Sequence, residues 1–225
     1  MNSILIKTIL GFLNLFVTMS LMLFLPAWTT DYLLAWIYLS IFFSGIFFIT
    51  IYIFIFDPKL LESRLKVGPV SEQRPIQKAI QSFASIGFLS VYIISSFDYR
   101  FHWSNVPSLV SYLANGILAF TMYLFFLVFK INSFLSATVE IQENQKLITD
   151  GVYSIVRHPM YFAASLLFLT TPIALGSYYG LFSLPFMLLV LMYRSIDEEK
   201  MLIKQFPEYI EYSKKVKKRI LPYIW

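Results

Sequence analysis

The chain has 225 residues, of which 58% are hydrophobic and only 14% are charged. Soluble domains carry about a quarter charged residues, so this composition, with apolar runs of roughly 20 residues recurring along the chain, predicts an all-α, polytopic protein that lies in the lipid bilayer. The net charge of +5 lies mostly in loops beside these runs, where it sets topology and gives no indication of a nucleic-acid partner. The sequence has no cysteine and only two histidines, so we expect no disulfide, no thiolate chemistry and no metal site.

Six apolar segments predict a transmembrane helical bundle of about six spans. The last two segments are shorter than a full span, and the turn-prone sequence GSYYG between them predicts a C-terminal helical hairpin. We expect a single domain, 1–225, with four spans in the N-terminal part, 1–131, and the hairpin in the C-terminal part, 132–225. The expected spans are 4–25, 32–56, 79–97, 108–131, 159–175 and 181–193.

The basic residues predict the orientation in the membrane. Placing both termini and the polar segments 57–78 and 131–158 on one side puts 17 of the 18 Lys and Arg residues there and leaves only Arg100 opposite. By the positive-inside rule, that side is the cytoplasm. We therefore expect a multi-pass integral membrane protein with both termini in the cytoplasm. Within 57–78, the sequence LLESRLKV is compatible with a short interfacial helix.

The segment 142–161, QENQKLITDGVYSIVRHPMY, collects polar side chains between two strongly apolar stretches. Proline disfavours helix in the residue before it and suits the first turn of a helix, so we predict that a helix begins at Pro159, directly after His158. The unpaired N–H groups and positive dipole of such a helix start favour an anion, and Arg157 stands beside them. The alternative is that Arg157 and His158 only anchor the helix at the lipid headgroups.

Arg194 and Glu198 follow the last apolar run, in the sequence YRSIDEEK. They are four residues apart and lie on one helical face, whereas Glu199 points about 100° away from Glu198. The pair is either a surface ion pair or a functional one, because an ionisable group at the end of an apolar run is costly without a partner or a role. Four aromatic residues of the tail are interpreted as membrane-interface residues: Tyr209, Tyr212, Tyr223 and Trp225.

The sequence GVYSIVRHPMY, with the LIT element before it and RSIDEEKMLIKQFPEYIEY after it, resembles the isoprenylcysteine carboxyl methyltransferase family, and FDYRFHWSNVP resembles its bacterial-type branch. The similarity extends from Phe134 to the C-terminus and makes 132–225 the catalytic part. It implies a membrane-embedded methyltransferase whose S-adenosyl-L-methionine lies between the central polar segment and the hairpin, on the cytoplasmic side. Phospholipid methyltransferases and some membrane sterol reductases carry related C-terminal halves.

The resemblance also implies site residues. Arg194 corresponds to the arginine that holds the substrate carboxylate in this family. Ala163 stands where the family usually has glycine, which implies tighter packing of the helix against the cofactor. The cofactor contacts that the motif implies are Gln142, Gln145, Lys146, Leu147, Ile148, Tyr153, His158, Pro159, Met160, Tyr161 and Glu198.

The resemblance therefore implies an S-adenosyl-L-methionine-dependent methyltransferase, and the acceptor that it favours is the carboxylate of a lipophilic, isoprenylcysteine-like molecule. A carboxylate needs no general base, and Arg194 would orient it through paired hydrogen bonds. An amine or thiol acceptor would lose a proton, and His158 or Glu198 would then have to act as the base. The alternatives left open are a phospholipid amine or small-thiol methyltransferase, an NADPH-dependent membrane reductase and a non-enzymatic membrane protein.

Overall fold

The structure, a computed structural model, describes residues 2–65, 68, 70–72, 74–138 and 144–222. Every regular element within these ranges is a helix, which confirms the all-α prediction. The described α-helices are α1 (Asn2–Ala27), α2 (Leu33–Phe56), α3 (Pro58–Arg64), α4 (Pro75–Phe101), α5 (Ser108–Ile131), α6 (Pro159–Ala174), α7 (Leu184–Gln205) and α8 (Tyr209–Lys215). Short 3₁₀ turns precede α6 and α7, at Gly151–Ser154 and Tyr179–Ser183.

Five helices in the described ranges, α1, α2, α4, α5 and α7, are long and apolar enough to cross a membrane. The helix α6 is also apolar, but its 16 residues are fewer than the roughly 20 that a full span requires. The structure agrees with the predicted polytopic bundle, although several helices are longer than their apolar segments. The helix α4 begins at Pro75 instead of residue 79, and α7 ends at Gln205 instead of residue 193. Polar residues continue these helices because backbone hydrogen bonding does not depend on hydropathy.

The helices pack into a bundle in which α5 runs along α6, α4 contacts α1 and α7, and α2 contacts α5. The main buried cluster combines side chains of α1, α2, α4, α5 and α6. Gly87 lies where α4 packs on α7, and a Cβ there would require the flexible Met187 side chain to shift. Large apolar side chains such as Phe48 and Leu109 are about two-thirds exposed on the outer faces, as expected for a surface that lies against lipid tails.

One end of the bundle holds the turn between α6 and α7. Gly176 in this turn has a φ of +78°, a conformation that favours glycine. Asp98, near the end of α4, is buried there and accepts hydrogen bonds from Ser104 and from the hydroxyl of Ser177. Arg100 lies at this end, as the topology prediction requires, and the predicted site residues that the structure describes lie toward the opposite end.

The opposite end carries α3, the C-terminal part of α7, and the polar segments 132–138 and 144–158; we call it the polar end. The helix α3 confirms the predicted short helix, and the Asp57 side chain caps it by accepting from the Leu60 N–H at 3.1 Å. The helix α8 follows α7 in the tail. That the polar end faces the cytoplasm stays a prediction from the distribution of basic residues.

Candidate functional site

The site begins where α6 begins. Pro159 is the first residue of α6, as predicted, and His158 before it has non-helical backbone angles, φ −124° and ψ 67°. The backbone N–H of His158 donates to the Arg219 carbonyl at 2.8 Å, so a tail segment pairs with the chain just before the helix. The N–H of Tyr161 donates to the His158 carbonyl at 3.0 Å, and proline has no N–H. Among the described residues, only Met160 therefore offers an unpaired N–H in the first three positions of α6.

Glu199 is the centre of a buried ion-pair cluster. Its Oε1 accepts from Arg157 Nε at 2.7 Å and lies 3.2 Å from His158 Nε2, and its Oε2 accepts from Arg219 Nε at 2.9 Å. The side chains of Arg157 and Glu199 are each 7% exposed, so each charge depends on the other for compensation. Arg157 Nη1 also donates to carbonyls of the segment 213–217. The cluster thus fastens α7 and the tail to the start of α6.

The hydroxyl of Tyr161 joins the two charged residues that the sequence singled out on α7. It donates to Glu198 Oε2 at 2.8 Å and accepts from Arg194 Nε at 3.2 Å. Glu198 Oε2 also lies 3.7 Å from His158 Nδ1, and the His158 ring stacks on the Tyr161 ring with centroids 5.4 Å apart. Unlike Glu199, the side chain of Glu198 is 28% exposed. Four predicted site residues therefore form one continuous group.

The guanidinium of Arg194 is held by residues from three other parts of the chain. Its Nη1 donates to Gln81 Oε1 at 2.8 Å, and its Nη2 donates to the Ala137 carbonyl at 2.8 Å. Its Nη2 also lies 3.2 Å from Glu72 Oε1. Its described carboxylate partner is thus Glu72, and Arg194 is linked to Glu198 only through the tyrosine hydroxyl. The surface ion pair between Arg194 and Glu198 that the sequence left open is not what the structure shows.

Tyr153 lies in the 3₁₀ turn before α6 and is 8% exposed. Its hydroxyl accepts from Asn132 Nδ2 at 2.7 Å, and its carbonyl accepts from the Tyr212 hydroxyl at 2.7 Å. Burial raises the pKa of Tyr153, and the negative charge of Glu198 raises it further.

The segment 144–150 lies beside the tail. Leu147 packs against the buried aromatic cluster of Phe206, Tyr209 and Tyr212. Tyr209 and Tyr212 are 1% and 6% exposed, so interpreting them as membrane-interface residues was wrong. They are buried because the tail folds back onto the segments before α6. Tyr223 and Trp225 lie outside the described residues. Of the other predicted contacts in this region, Lys146 is exposed, Gln145 and Ile148 are half-buried, and Gln142 lies outside the described residues.

Sequence reasoning missed several residues of this site. Glu199, which we expected to face away from the site, contacts Arg157 and lies 3.2 Å from the same His158 ring that Glu198 approaches at 3.7 Å. The neighbouring Glu198 and Glu199 were the available sequence signal, since two adjacent carboxylates on one helix can each take part in a different cluster. Glu72 and Gln81 carried no local signal, because they meet Arg194 across more than 100 residues of sequence.

Within the described ranges, no group of three or more His, Cys, Asp or Glu side chains is placed to hold a metal ion. A sequence profile of the phospholipid methyltransferase family matches residues 109–209, a little under half of the chain. This range includes α6, Arg194 and Glu198. The family consists of membrane methyltransferases and is related to the isoprenylcysteine carboxyl methyltransferases. The match therefore indicates a membrane methyltransferase, without deciding between a carboxylate and a phospholipid acceptor. No curated protein matches the chain.

Proposed function

We propose that the chain is an integral membrane methyltransferase that uses S-adenosyl-L-methionine and methylates the carboxylate of a lipophilic, isoprenylcysteine-like acceptor. The observation that carries this proposal is the Tyr161 hydroxyl, which contacts Glu198 at 2.8 Å and Arg194 at 3.2 Å. The Arg194 guanidinium, which suits an acceptor carboxylate, and the Glu198 carboxylate, which suits the cofactor's ammonium group, thus both contact the Tyr161 hydroxyl. Holding two reactants next to each other is a large part of what a transfer reaction requires.

The residues at the start of α6 fit the polar groups of S-adenosyl-L-methionine. Glu198 is partly exposed, and because Tyr161 occupies one of its oxygens, the other can accept the cofactor's ammonium group. The Met160 N–H and the His158 ring lie at the helix start, where the cofactor's carboxylate is favoured. The remaining contacts that we assign to the cofactor are Gln142, Gln145, Lys146, Leu147, Ile148, Tyr153 and Pro159.

The chemistry favours a carboxylate acceptor. When bound, S-adenosyl-L-methionine supplies a methyl group activated by a positively charged sulfonium. A carboxylate is already ionised at neutral pH, so no residue has to remove a proton. The planar guanidinium of Arg194 matches a carboxylate, and its side chain is only 11% exposed, so the ion pair is strengthened by the exclusion of water. Transfer cancels the two opposite charges, and a dry site favours that outcome.

The position of Arg194 suits an acceptor with a lipophilic tail. Tyr193 beside it is 65% exposed and Leu189, one turn earlier, is 52% exposed, both on the apolar outer surface of α7. An acceptor could therefore keep its tail in the bilayer while its carboxylate reaches Arg194. We place this site on the cytoplasmic side, because 17 of the 18 basic residues lie at the polar end in the predicted topology.

A phospholipid amine is the second candidate acceptor. It is favoured by the match to the phospholipid methyltransferase family and by the fact that Arg194 already has a carboxylate partner, Glu72. An amine would have to lose a proton, and His158 or Glu198 would have to accept it. The family match favours both methyltransferase readings over the reductase and the non-enzymatic membrane protein.

The test uses the purified protein in detergent. S-adenosylhomocysteine, but not NADPH, should raise its Tm. Labelled S-adenosyl-L-methionine should transfer its methyl group to a prenylcysteine carboxylate and not to phosphatidylethanolamine. Arg194→Lys keeps the charge but loses the planar fork, and it should lower transfer ten-fold or more, about 1.4 kcal/mol in the transition state, with S-adenosylhomocysteine affinity unchanged.

Arg100→Lys, at the opposite end of the bundle, is the matched control and should transfer normally. If Arg194→Lys loses cofactor affinity in step with activity, Arg194 belongs to the cofactor site or has only a structural role. If the protein methylates phosphatidylethanolamine but not the prenylcysteine carboxylate, the acceptor is the phospholipid amine.

A further inference from the structure

The carboxylate beside Arg194 comes from a part of the chain far from the motif. Glu72 lies in the segment between α3 and α4, and its Oε1 is 3.2 Å from Arg194 Nη2. Its side chain is only 1% exposed, so a charged group has been removed from water to reach this position, at a cost in free energy. The distance is longer than the about 2.7–2.9 Å of a strong charge-assisted hydrogen bond. Glu72 therefore compensates Arg194 through a contact weaker than the strongest pairs of this kind.

Other residues hold the start of α4 against α7. Arg74 Nη2 donates to Asp197 Oδ1 at 2.8 Å, and Gln77 donates to the other oxygen of the same carboxylate. These contacts involve neither Glu72 nor Arg194. The contact of Glu72 with Arg194 can therefore break while α4 stays attached to α7.

A second arginine lies close to Arg194. Arg64 Nη1 donates to the Ser136 carbonyl at 3.2 Å, and Arg194 Nη2 donates to the next carbonyl, that of Ala137. No described carboxylate lies within ion-pair distance of Arg64, whose guanidinium instead lies over the Phe129 ring at 5.1 Å. Burial lowers the pKa of Arg64 to about 10, and the positive charge of Arg194 contributes to this shift. Arg64 thus adds a second positive charge beside Arg194, which favours a carboxylate at this position.

We infer that the Glu72 carboxylate occupies the subsite of the acceptor's carboxylate and leaves Arg194 when the acceptor binds. This inference rests on the carboxylate acceptor proposed above. The exchange replaces one carboxylate by another on the same guanidinium, so the buried charge of Arg194 stays compensated throughout. The apparent affinity for the acceptor is then reduced by the fraction of molecules in which Glu72 holds Arg194.

The first test is Glu72→Gln, which keeps the size of the side chain and removes its charge. Because the internal competitor is weakened, the KM for a prenylcysteine carboxylate should fall by about three- to ten-fold. The affinity for S-adenosylhomocysteine should not change, since Glu198 and His158 are untouched. Glu62→Gln, an exposed glutamate on α3, is the matched control and should leave KM unchanged.

The outcomes separate this inference from the proposed function. If the wild-type protein transfers methyl groups to the carboxylate but Glu72→Gln has an unchanged or higher KM, Glu72 is only a structural partner of Arg194 and the inference is overturned. If Glu72→Gln raises the KM for a phospholipid amine, Glu72 binds the ammonium group and the inference is also overturned. If the wild-type protein transfers to no carboxylate, the proposed function and this inference fall together.

The second test keeps Glu72 intact. Since the chain contains no cysteine, Ser71→Cys creates a single thiol next to Glu72 that a maleimide can label. Adding a prenylcysteine carboxylate together with S-adenosylhomocysteine should raise the labelling rate, because Glu72 and its neighbours move away from Arg194. Glu62→Cys, on α3, is the control and should label at the same rate in both conditions. An unchanged rate at Ser71→Cys would overturn the inference even if Glu72→Gln fails to fold.

Discussion

Removing the charge of Glu199 should lower the stability of the protein, whereas removing the charge of Glu198, its neighbour on α7, should lower the affinity for the cofactor. Glu199 is 7% exposed at its side chain and is surrounded by Arg157 at 2.7 Å, Arg219 at 2.9 Å and His158 at 3.2 Å. Removing one partner of a buried ion pair costs about 3–5 kcal/mol, because the remaining charges stay buried. Glutamine still offers one acceptor oxygen, and Arg219 is 32% exposed and can turn to water, so we expect the lower limit, about 3 kcal/mol, for Glu199→Gln.

Glu198→Gln should leave the fold almost unchanged. Its side chain is 28% exposed, and glutamine can still accept the hydrogen bond from Tyr161, so we expect a loss of about 1 kcal/mol or less in stability. The loss should instead appear in cofactor binding, where a charged partner of the ammonium group is worth roughly 1–3 kcal/mol. Thermal unfolding followed by circular dichroism measures the first quantity, and calorimetric titration with S-adenosylhomocysteine measures the second.

The control for both variants is Glu211→Gln, an exposed glutamate on α8 that should change neither quantity. If Glu199→Gln is as stable as the wild type and loses more cofactor affinity than Glu198→Gln, Glu199 binds the cofactor and Glu198 is dispensable.

Two further predictions concern topology and the start of α6. Reporter fusions after Asp57 and after Asp150 should read cytoplasmic and one at Thr29 should read external; a reversed pattern at any two of them would refute the orientation and place the site on the other side. His158→Ala should weaken S-adenosylhomocysteine binding by roughly 1–3 kcal/mol in the same titration, because the ring lies at the start of α6, where we place the cofactor's carboxylate, and 3.7 Å from Glu198. Wild-type affinity would exclude His158 from the cofactor site.

Local signals predicted the parts of this site that depend on neighbouring residues. The start of α6 follows from the His158-Pro159 pair alone, since proline restricts both itself and the residue before it. The spacing of Arg194 and Glu198 likewise placed both residues on one side of α7, and Tyr161 contacts both. Helix geometry fixes these relations without reference to the rest of the fold.

Contacts between segments that are distant in the sequence could not be predicted from local sequence signals. Glu72 and Gln81 reach Arg194 because the start of α4 packs on α7, and nothing in their own sequence surroundings specifies that partner. The burial of Tyr209 is a similar case, since a tyrosine near a membrane end is compatible with either headgroups or a protein core. The extent of α7 was underestimated for a related reason. Its charged second half pairs with the polar end of the bundle, and hydropathy alone does not report such pairing.

The pairing of Glu72 with Arg194 has a consequence for turnover. For the carboxylate acceptor proposed above, the product is an uncharged methyl ester, which would lose the ion pair that holds the acceptor at Arg194. Glu72 keeps its charge and can return to Arg194, which then forms no ion pair with the ester. If Glu72 competes with the acceptor, as we infer above, it would therefore also help to expel the product into the bilayer. In an enzyme whose product is as lipophilic as its substrate, that expulsion would keep the site from being blocked by its own ester.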